Sequence, residues 1–202
     1  MTKMQRILLV LVQATLIVLA LILLIIVIVD PEYNKIGGVI ASLTLPFLPN
    51  IIRRVLAAEL SFRLQITYFI FLFAALFLGI NFDFYRTVPH FDKVIHFFSG
   101  MISIAVAWFV LKFFKADKTS KPFQAIFIIC FCITLSIIWE FFEFTCDKLL
   151  GQNMQQLISE GVDDTMFDLL FALIGTSVGT ILFMRYTRQI ESFFLIPHRK
   201  PK

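Results

Sequence analysis

The sequence predicts an all-α, polytopic transmembrane helical bundle of about six spans. Hydrophobic residues make up 59% of the 202 residues, well above the ~45–50% that is usual in soluble domains. The mean hydropathy is +0.87. Apolar stretches close to the ~20 residues that cross a bilayer recur along the chain. These three observations favour an integral membrane protein over a soluble fold.

Each of six successive apolar segments is expected to form a transmembrane helix. The first follows Lys3 and Arg6, but it is longer than the ~7–15 apolar residues of a secretion signal and ends without a small-residue cleavage site, so we expect it to be retained. The second is weak, because Pro46 and Pro49 could leave it broken, tilted or re-entrant. The segments cover residues 7–29, 36–52, 64–80, 93–114, 123–146 and 165–184.

The distribution of basic residues predicts the orientation, since short cytoplasmic loops are enriched in lysine and arginine. A six-span model with a cytoplasmic N-terminus leaves outside only four of the 18 basic residues: Lys35, Arg86, Lys93 and Lys148. A five-span model that omits the weak segment gives the last three helices the same orientation. We therefore expect both termini of the six-span bundle to be cytoplasmic and the acidic loops to face outward.

The chain is expected to form a single transmembrane domain over residues 1–202. Residues 7–92 hold the less specific spans, residues 92–184 form a three-helix core with a polar site, and residues 185–202 form a basic cytoplasmic tail. The net charge of +4 does not indicate nucleic-acid binding, because the basic residues follow the membrane orientation. The tail, which includes Phe193 and Phe194, is expected to lie against anionic lipid.

Ionisable residues cluster where the last three apolar segments meet their loops. On each segment they recur at helical spacing, so each set lies on one helical face. Polar and small faces in membranes turn toward other helices rather than toward lipid. The three sets lie near the same outer end, which predicts a polar pocket open to the outside. The sets are Asp92, His96, Ser99 and Ser103; Ser136, Glu140, Glu143 and Asp147; and Asp164, Asp168, Ala172, Gly175 and Gly179.

Helix capping is the main structural alternative for part of this set. Carboxylates at helix N-termini bind free N–H groups, which could explain Asp92, Asp163 and Asp164. Capping does not explain Glu140 and Glu143, because they approach a helix C-terminus, where the dipole disfavours anions.

The carboxylates together with one imidazole predict a site for a divalent cation. Burying so many carboxylates requires protons, water or a cation to offset their charge. Such ligands suit Mg²⁺, Mn²⁺ or Ca²⁺ and could accept Zn²⁺, although no standard metal signature is present. The candidate ligands are Asp92, His96, Glu140, Glu143, Asp164 and Asp168.

Three residues of this region are candidates for catalytic roles. In an enzyme, His96 or Glu140 would be the general base, and Lys93 would meet a phosphate or carboxylate of the substrate.

The order of these motifs resembles the VanZ-like and YjdF-like families of small bacterial membrane proteins. The shared pattern is an Asp-Lys-x-x-His-Phe that opens a helix, then a Glu-bearing helix, then an Asp-x-x-x-Asp helix that continues into small residues. It covers roughly residues 91–182, and the doubled glutamate and the Gly151-Gln152 loop look closer to the YjdF-like side. The resemblance implies a bacterial plasma-membrane protein and, for the VanZ-like family, a link to glycopeptide resistance and so to the cell envelope.

The favoured interpretation is a membrane-embedded site, divalent-metal-dependent, that binds or modifies an envelope molecule reached from outside. Its expected partners are membrane lipid and an envelope precursor or another anionic, lipid-linked ligand. Two alternatives stay open: a transporter coupled to protons or cations, in which the carboxylates are protonation sites, and a non-catalytic membrane binding or scaffold protein. The sequence leaves the oligomeric state open.

Overall fold

The computed structural model describes residues 1–30, 35–57, 60–155 and 162–194, and every regular element within them is helical. A π-helical segment, Phe73–Asn81, follows α4, and short 3-10 turns occur at Leu45–Phe47 and Ala116–Lys118. The α-helices, in chain order, are α1 (Lys3–Val29), α2 (Ile36–Thr44), α3 (Leu48–Val55), α4 (Phe62–Leu72), α5 (Phe84–Thr87), α6 (Phe91–Phe113), α7 (Lys121–Leu150), α8 (Asp163–Arg185) and α9 (Thr187–Phe194).

The prediction of an all-α bundle with about six spans is confirmed. Six helical stretches among the described residues are long and apolar enough to cross a membrane. The helices extend beyond the apolar segments into their polar flanks; α7, for example, continues to Leu150 rather than ending near Cys146. The six stretches are Lys3–Val29, Ile36–Val55, Phe62–Asn81, Phe91–Phe113, Lys121–Leu150 and Asp163–Arg185.

The second span is broken at its prolines. α2 ends at Thr44, a 3-10 turn follows, and α3 resumes the helix. Pro49 has no N–H and so cannot donate to the Leu45 carbonyl four residues before it. The Tyr68 hydroxyl donates to that oxygen over 2.9 Å, and Gln13 donates to the Pro46 carbonyl over 3.0 Å. Side chains of neighbouring spans thus satisfy the backbone at the break, as a membrane interior requires.

The third span ends in the π-helical segment, where the Asn81 side-chain amide donates to the Leu76 carbonyl over 2.7 Å. The following connection holds α5 between two residues in the left-handed region, Asp83 (φ 61) and His90 (φ 60). A Cβ on Gly79 would collide with the Tyr85 ring. Glycine at this position therefore lets α5 pack against the third span.

Helices α6, α7 and α8 pack against one another, and small residues bring α6 and α8 into direct backbone contact. A Cβ on Gly175 would collide with the Phe97 carbonyl oxygen, and one on Gly100 with the Ala172 carbonyl oxygen. The glycine stripe of α8 is therefore a packing device, as expected for small residues between membrane helices.

Successive spans run in alternating directions, so the bundle has two chemically different ends. The acidic end carries the starts of α6 and α8 and the last third of α7, with their carboxylates. The basic end carries the start of α1, the end of α3 and the loop between α6 and α7, with arginines and lysines such as Arg6, Arg53 and Lys118.

The tail differs in part from the sequence expectation. Arg185 ends α8, and α9 turns back onto the basic end of the bundle, where Phe194 is buried against Phe109 and Phe183. The Ser61 N–H donates to the Phe194 carbonyl over 2.9 Å. Phe194 is thus a core residue rather than a lipid-facing one, because the groove beside α6 and α8 buries it. Residues 195–202 of the predicted tail lie outside the described residues.

Candidate functional site

Lys93 lies at the centre of the acidic end, between carboxylates of two helices. Its ammonium is 2.6 Å from Asp164 Oδ1, 2.9 Å from Asp168 Oδ1 and 3.4 Å from Asp92 Oδ2. Asp164 and Asp168 are each 1% exposed. Since burying ionised groups without partners is costly, this arrangement explains how two ionisable α8 side chains are accommodated inside the bundle.

His96 faces the oxygens of Asp92 and Asp168 that do not pair with Lys93. Its Nε2 is 3.5 Å from Asp92 Oδ1 and 3.8 Å from Asp168 Oδ2. Asp92 and Asp168 therefore each direct one oxygen toward Lys93 and the other toward His96. One ligand atom from each of Asp92, His96 and Asp168 lies within 4.8 Å of the others, and all three residues are buried. This is a geometry that a single metal ion can join.

Glu140 and Glu143 of α7 are buried beside this group but are held differently. Trp139 Nε1 donates to Glu143 Oε1 over 2.8 Å. Both oxygens of Glu140 are buried and have no ion-pair partner among the described residues; the Thr165 hydroxyl of α8 lies close enough to interact with them, although not in strict hydrogen-bond geometry. Glu140 lies within electrostatic range of Asp92, Asp164 and Lys93. Among the described residues, Glu140 is therefore a buried carboxylate without an ion-pair partner that is directed at the other charges.

Helical periodicity accounts for the convergence of these residues. Four-residue spacing places Asp92 and His96 on one face of α6, and Asp164 and Asp168 on one face of α8. All four residues are buried, and so are Glu140 and Glu143 on α7. The prediction that three polar faces turn toward one another is confirmed.

Asp92 and Asp164 are not helix N-cap residues in the structure. The N-cap residues of α6 and α8 are His90 and Val162. Asp92 and Asp164 lie inside the first turn and pair with Lys93, whereas Asp163 is exposed. Ion pairing with Lys93, within α6 for Asp92 and from α6 to α8 for Asp164, thus replaces capping for the two buried carboxylates.

The loop after α7 is tied down beside the cluster. Asp147 accepts from the backbone N–H groups of Met154, over 2.6 Å, and Gln155, over 3.0 Å. The Gln152 side chain accepts from the N–H of Gly37 over 3.1 Å. Asp147 therefore organises the loop, and the second span contributes to the wall of the acidic end. Residues 156–161 of this loop lie outside the described residues, and so does the part of the predicted opening that they would form.

Tyr85 is a neighbour of the site that the sequence reasoning missed. Desolvation, with added repulsion from the carboxylates of Asp92, Glu143 and Asp168, raises the pKa of the Tyr85 phenol well above its ordinary value. The phenol thus stays protonated beside the carboxylates and can act as a donor. It belongs to a four-residue helix between spans, where periodicity gives no signal; its nearness in sequence to Asp92 was the available clue.

The structure distinguishes among the predicted site residues. Asp92, His96 and Asp168 come together as candidate metal ligands. Asp164 is occupied by Lys93, and Glu143 accepts from Trp139. Lys93, which the sequence suggested for substrate binding, lies among carboxylates of its own chain. Glu140 lies beside these groups without an ion-pair partner among the described residues.

The fold and this site define a multi-span helical membrane protein with a buried acidic and histidine group. The chain belongs to the family described as "Predicted membrane protein (DUF2238)", whose model matches residues 11–189. This match extends through the first three spans, beyond the region in which the motifs lie. An "Uncharacterized protein" of Thermotoga maritima is 25% identical over 151 residues, which is 75% of this chain and 76% of the relative. No solved structure matches the chain.

Proposed function

We propose that Asp92, His96 and Asp168 bind a divalent cation within the membrane, and that this site binds or modifies an anionic cell-envelope molecule. The observation that carries the proposal is that the two oxygens of each carboxylate, Asp92 and Asp168, face different partners. The Lys93 ammonium pairs with one oxygen of Asp92 and with one oxygen of Asp168. The other oxygen of each carboxylate faces His96 Nε2. Lys93 therefore acts as a positioning residue that orients both carboxylates toward the ion.

The spacing of the donor atoms fits a metal ion. The His96 distances to Asp92 and Asp168 are 3.5 and 3.8 Å. Metal–ligand bonds of about 2.05 Å in a tetrahedral zinc site separate neighbouring ligand atoms by ~3.3 Å, and an octahedral magnesium site needs ~3.0 Å. Because an imidazole suits zinc better than magnesium or calcium, and manganese stands between zinc and magnesium in accepting carboxylates, we favour Zn²⁺ or Mn²⁺.

The charge of the cluster supports a cation as well. Five carboxylates share one ammonium among the described residues of this site: Asp92, Glu140, Glu143, Asp164 and Asp168 against Lys93. A bound divalent ion would offset part of this excess and bind an anionic group of the ligand. Glu140, which has no ion-pair partner among the described residues, is the residue proposed to accept a proton if a reaction occurs.

The envelope assignment rests on orientation and resemblance. The basic-residue pattern favours an acidic end that faces away from the cytoplasm of a bacterial plasma membrane. The order of motifs around Asp92, Glu140 and Asp168 resembles the VanZ-like and YjdF-like families, and the VanZ-like side supports a role in resistance to glycopeptides or other envelope stress.

Metal content of the purified protein tests the proposal. We expect stoichiometric zinc or manganese, and thermal stabilisation of metal-stripped protein by the metal alone. His96→Gln and Asp92→Asn should each weaken binding by more than the ~10–100-fold typical of losing an outer-shell partner. Asp163→Asn is the matched control, because it removes an exposed carboxylate from the start of α8. Wild-type protein without bound metal and without stabilisation by added metal would refute the site.

A transporter coupled to cations or protons is the second candidate, and buried hydroxyls on α8 favour it. Thr176 and Thr180 are 0% and 2% exposed; the Thr176 hydroxyl contacts the Cys132 thiol, and the Thr180 hydroxyl has no hydrogen-bond partner among the described residues. They continue the polar face of Asp168 toward the basic end. Cation or proton flux into proteoliposomes that Asp168→Asn abolishes would favour transport, and turnover without flux would favour an enzyme.

A further inference from the structure

A cavity with arginines at its rim opens at the basic end, far from the carboxylate cluster. It has a volume of about 360 Å³ and lies between α1, α3 and α4. Arg6 and Arg53 line it together with Gln13, Asn50 and Gln65. The rest of its lining is mostly apolar. The cavity thus offers cationic and amide groups at one edge and hydrocarbon at the other.

The two arginines have no anionic partner within the described chain. Both side chains are exposed, and no carboxylate of the described residues forms an ion pair with either of them. An arginine binds phosphate through two parallel N–H donors when it is not already engaged. Two such groups on neighbouring helices can bind one phosphate together.

A second, apolar cavity adjoins the first. It has a volume of about 130 Å³, lies between α3, α4 and α6, and shares Pro49, Leu60 and Gln65 with the arginine-lined cavity. This volume is similar to the ~150 Å³ of a dry cavity that accepts benzene. It therefore has room for a segment of hydrocarbon chain.

The few hydroxyl groups in the second cavity do not make it polar. Tyr68 donates to the Leu45 carbonyl over 2.9 Å. Ser99 and Ser103 donate to the carbonyls of His96 and Ser99, over 2.7 and 2.8 Å. Each of these hydroxyl protons is thus engaged by backbone and is not available to bind a polar ligand.

We propose that the two cavities form one binding site for an anionic membrane phospholipid. Arg6 and Arg53 bind the phosphate-bearing headgroup, and the apolar cavity holds a segment of an acyl chain. Charge complementarity selects an anion, and the adjoining apolar cavity selects an amphiphile over a free phosphate. Basic pockets between helices are the usual form of such lipid sites. This site is independent of the metal site, because it shares no charged residue with it.

Lipid retention by purified protein tests the proposal. Protein in phosphatidylcholine nanodiscs doped with phosphatidylglycerol of the same chain length should enrich phosphatidylglycerol, as measured by native mass spectrometry. Arg6→Gln and Arg53→Gln should each lower this preference at least about tenfold. Arg54→Gln is the matched control, because Arg54 is the exposed neighbour of Arg53 on α3 and does not line the cavity.

The role of the acyl chain is tested with a variant that keeps every charge. Val106→Phe fills the apolar cavity and should reduce phosphatidylglycerol retention while leaving the lipid-free thermal unfolding temperature within a few degrees. Glycerol 3-phosphate alone should neither stabilise the protein nor displace the lipid. Equal losses in Arg54→Gln and Arg53→Gln, or displacement of the lipid by glycerol 3-phosphate, would overturn the proposal.

Discussion

Charged side chains at the acidic end are buried and held by one another, whereas those at the basic end are exposed and largely without ion-pair partners in the described chain. Asp164 and Asp168 are 1% exposed, and Arg53 and Arg54 are open to the surroundings. Exposed arginines near a membrane surface orient a protein and attract anionic lipid at little cost. Ionisable groups inside the bundle cost several kcal/mol unless they are compensated. The comparison therefore supports the proposals of a ligand site at the acidic end and of a lipid contact at the basic end.

The largest expected effect is an all-or-none labelling pattern. With native cysteines replaced, a cysteine at Gln152, at the acidic end, should react with an impermeant reagent in intact cells, and one at Lys118 should react only after lysis. The reason is the excess of lysine and arginine at the basic end. Labelling at position 118 but not at position 152 would show that the bundle has the opposite orientation, with the acidic end facing the cytoplasm.

An ion pair at each end gives the next largest contrast. Asp164→Asn should lower the free energy of unfolding by about 1.5–3 kcal/mol, because it replaces the shortest buried, charge-assisted hydrogen bond of Lys93 with a neutral one. Glu191→Gln breaks the partly exposed pair with Lys112 at the basic end and should cost less than ~1 kcal/mol. Chemical unfolding in detergent measures both. Equal costs would mean that burial does not distinguish the two ends.

Substitutions of two glycines on one face of α8 test how closely α6 and α8 pack near the acidic end. Gly175→Ala should cost about 1–3 kcal/mol, because the new Cβ meets the Phe97 backbone, which cannot move aside. Gly179→Ala, one turn toward the basic end, meets Cδ1 of Ile104, a flexible side-chain atom. Its cost should be smaller, and a helix-stabilising contribution could offset it. Thermal unfolding in detergent ranks the pair, and a larger loss for Gly179→Ala would contradict the close contact of α6 and α8.

The smallest expected effect is a gain of stability. Glu140→Gln should raise the free energy of unfolding by about 1 kcal/mol, because it removes a buried charge that has no ion-pair partner among the described residues. It should also abolish any envelope phenotype, such as glycopeptide resistance conferred on a sensitive strain, at unchanged membrane abundance. Full function together with a loss of stability would make Glu140 a structural residue.

The sequence predicted the helical faces well and the partners across them poorly. Burial of Asp92, His96, Glu140 and Asp168 follows from their spacing, since helical periodicity determines which side chains share a face. The partners of Lys93 did not follow, because its long side chain can reach either toward water or across to α8. The docking of Phe194 was also missed, because it depends on a groove between helices that is remote from it in sequence.

One consequence of the π-helical end of the third span concerns insertions and deletions. A wide turn accommodates one residue more than an α-helical turn does, and each residue added to or removed from a helix rotates the rest of that helix by ~100°. Loss of a single residue from Phe73–Asn81 is absorbed when one wide turn tightens to α-helical geometry, so the contacts of Asn81 with Lys35 and of Gly79 with the Tyr85 ring are kept. The same deletion in a regular α-helical stretch, such as α6, has no wide turn to absorb it and rotates the residues that follow. The third span should therefore tolerate a one-residue deletion in this segment better than α6 does.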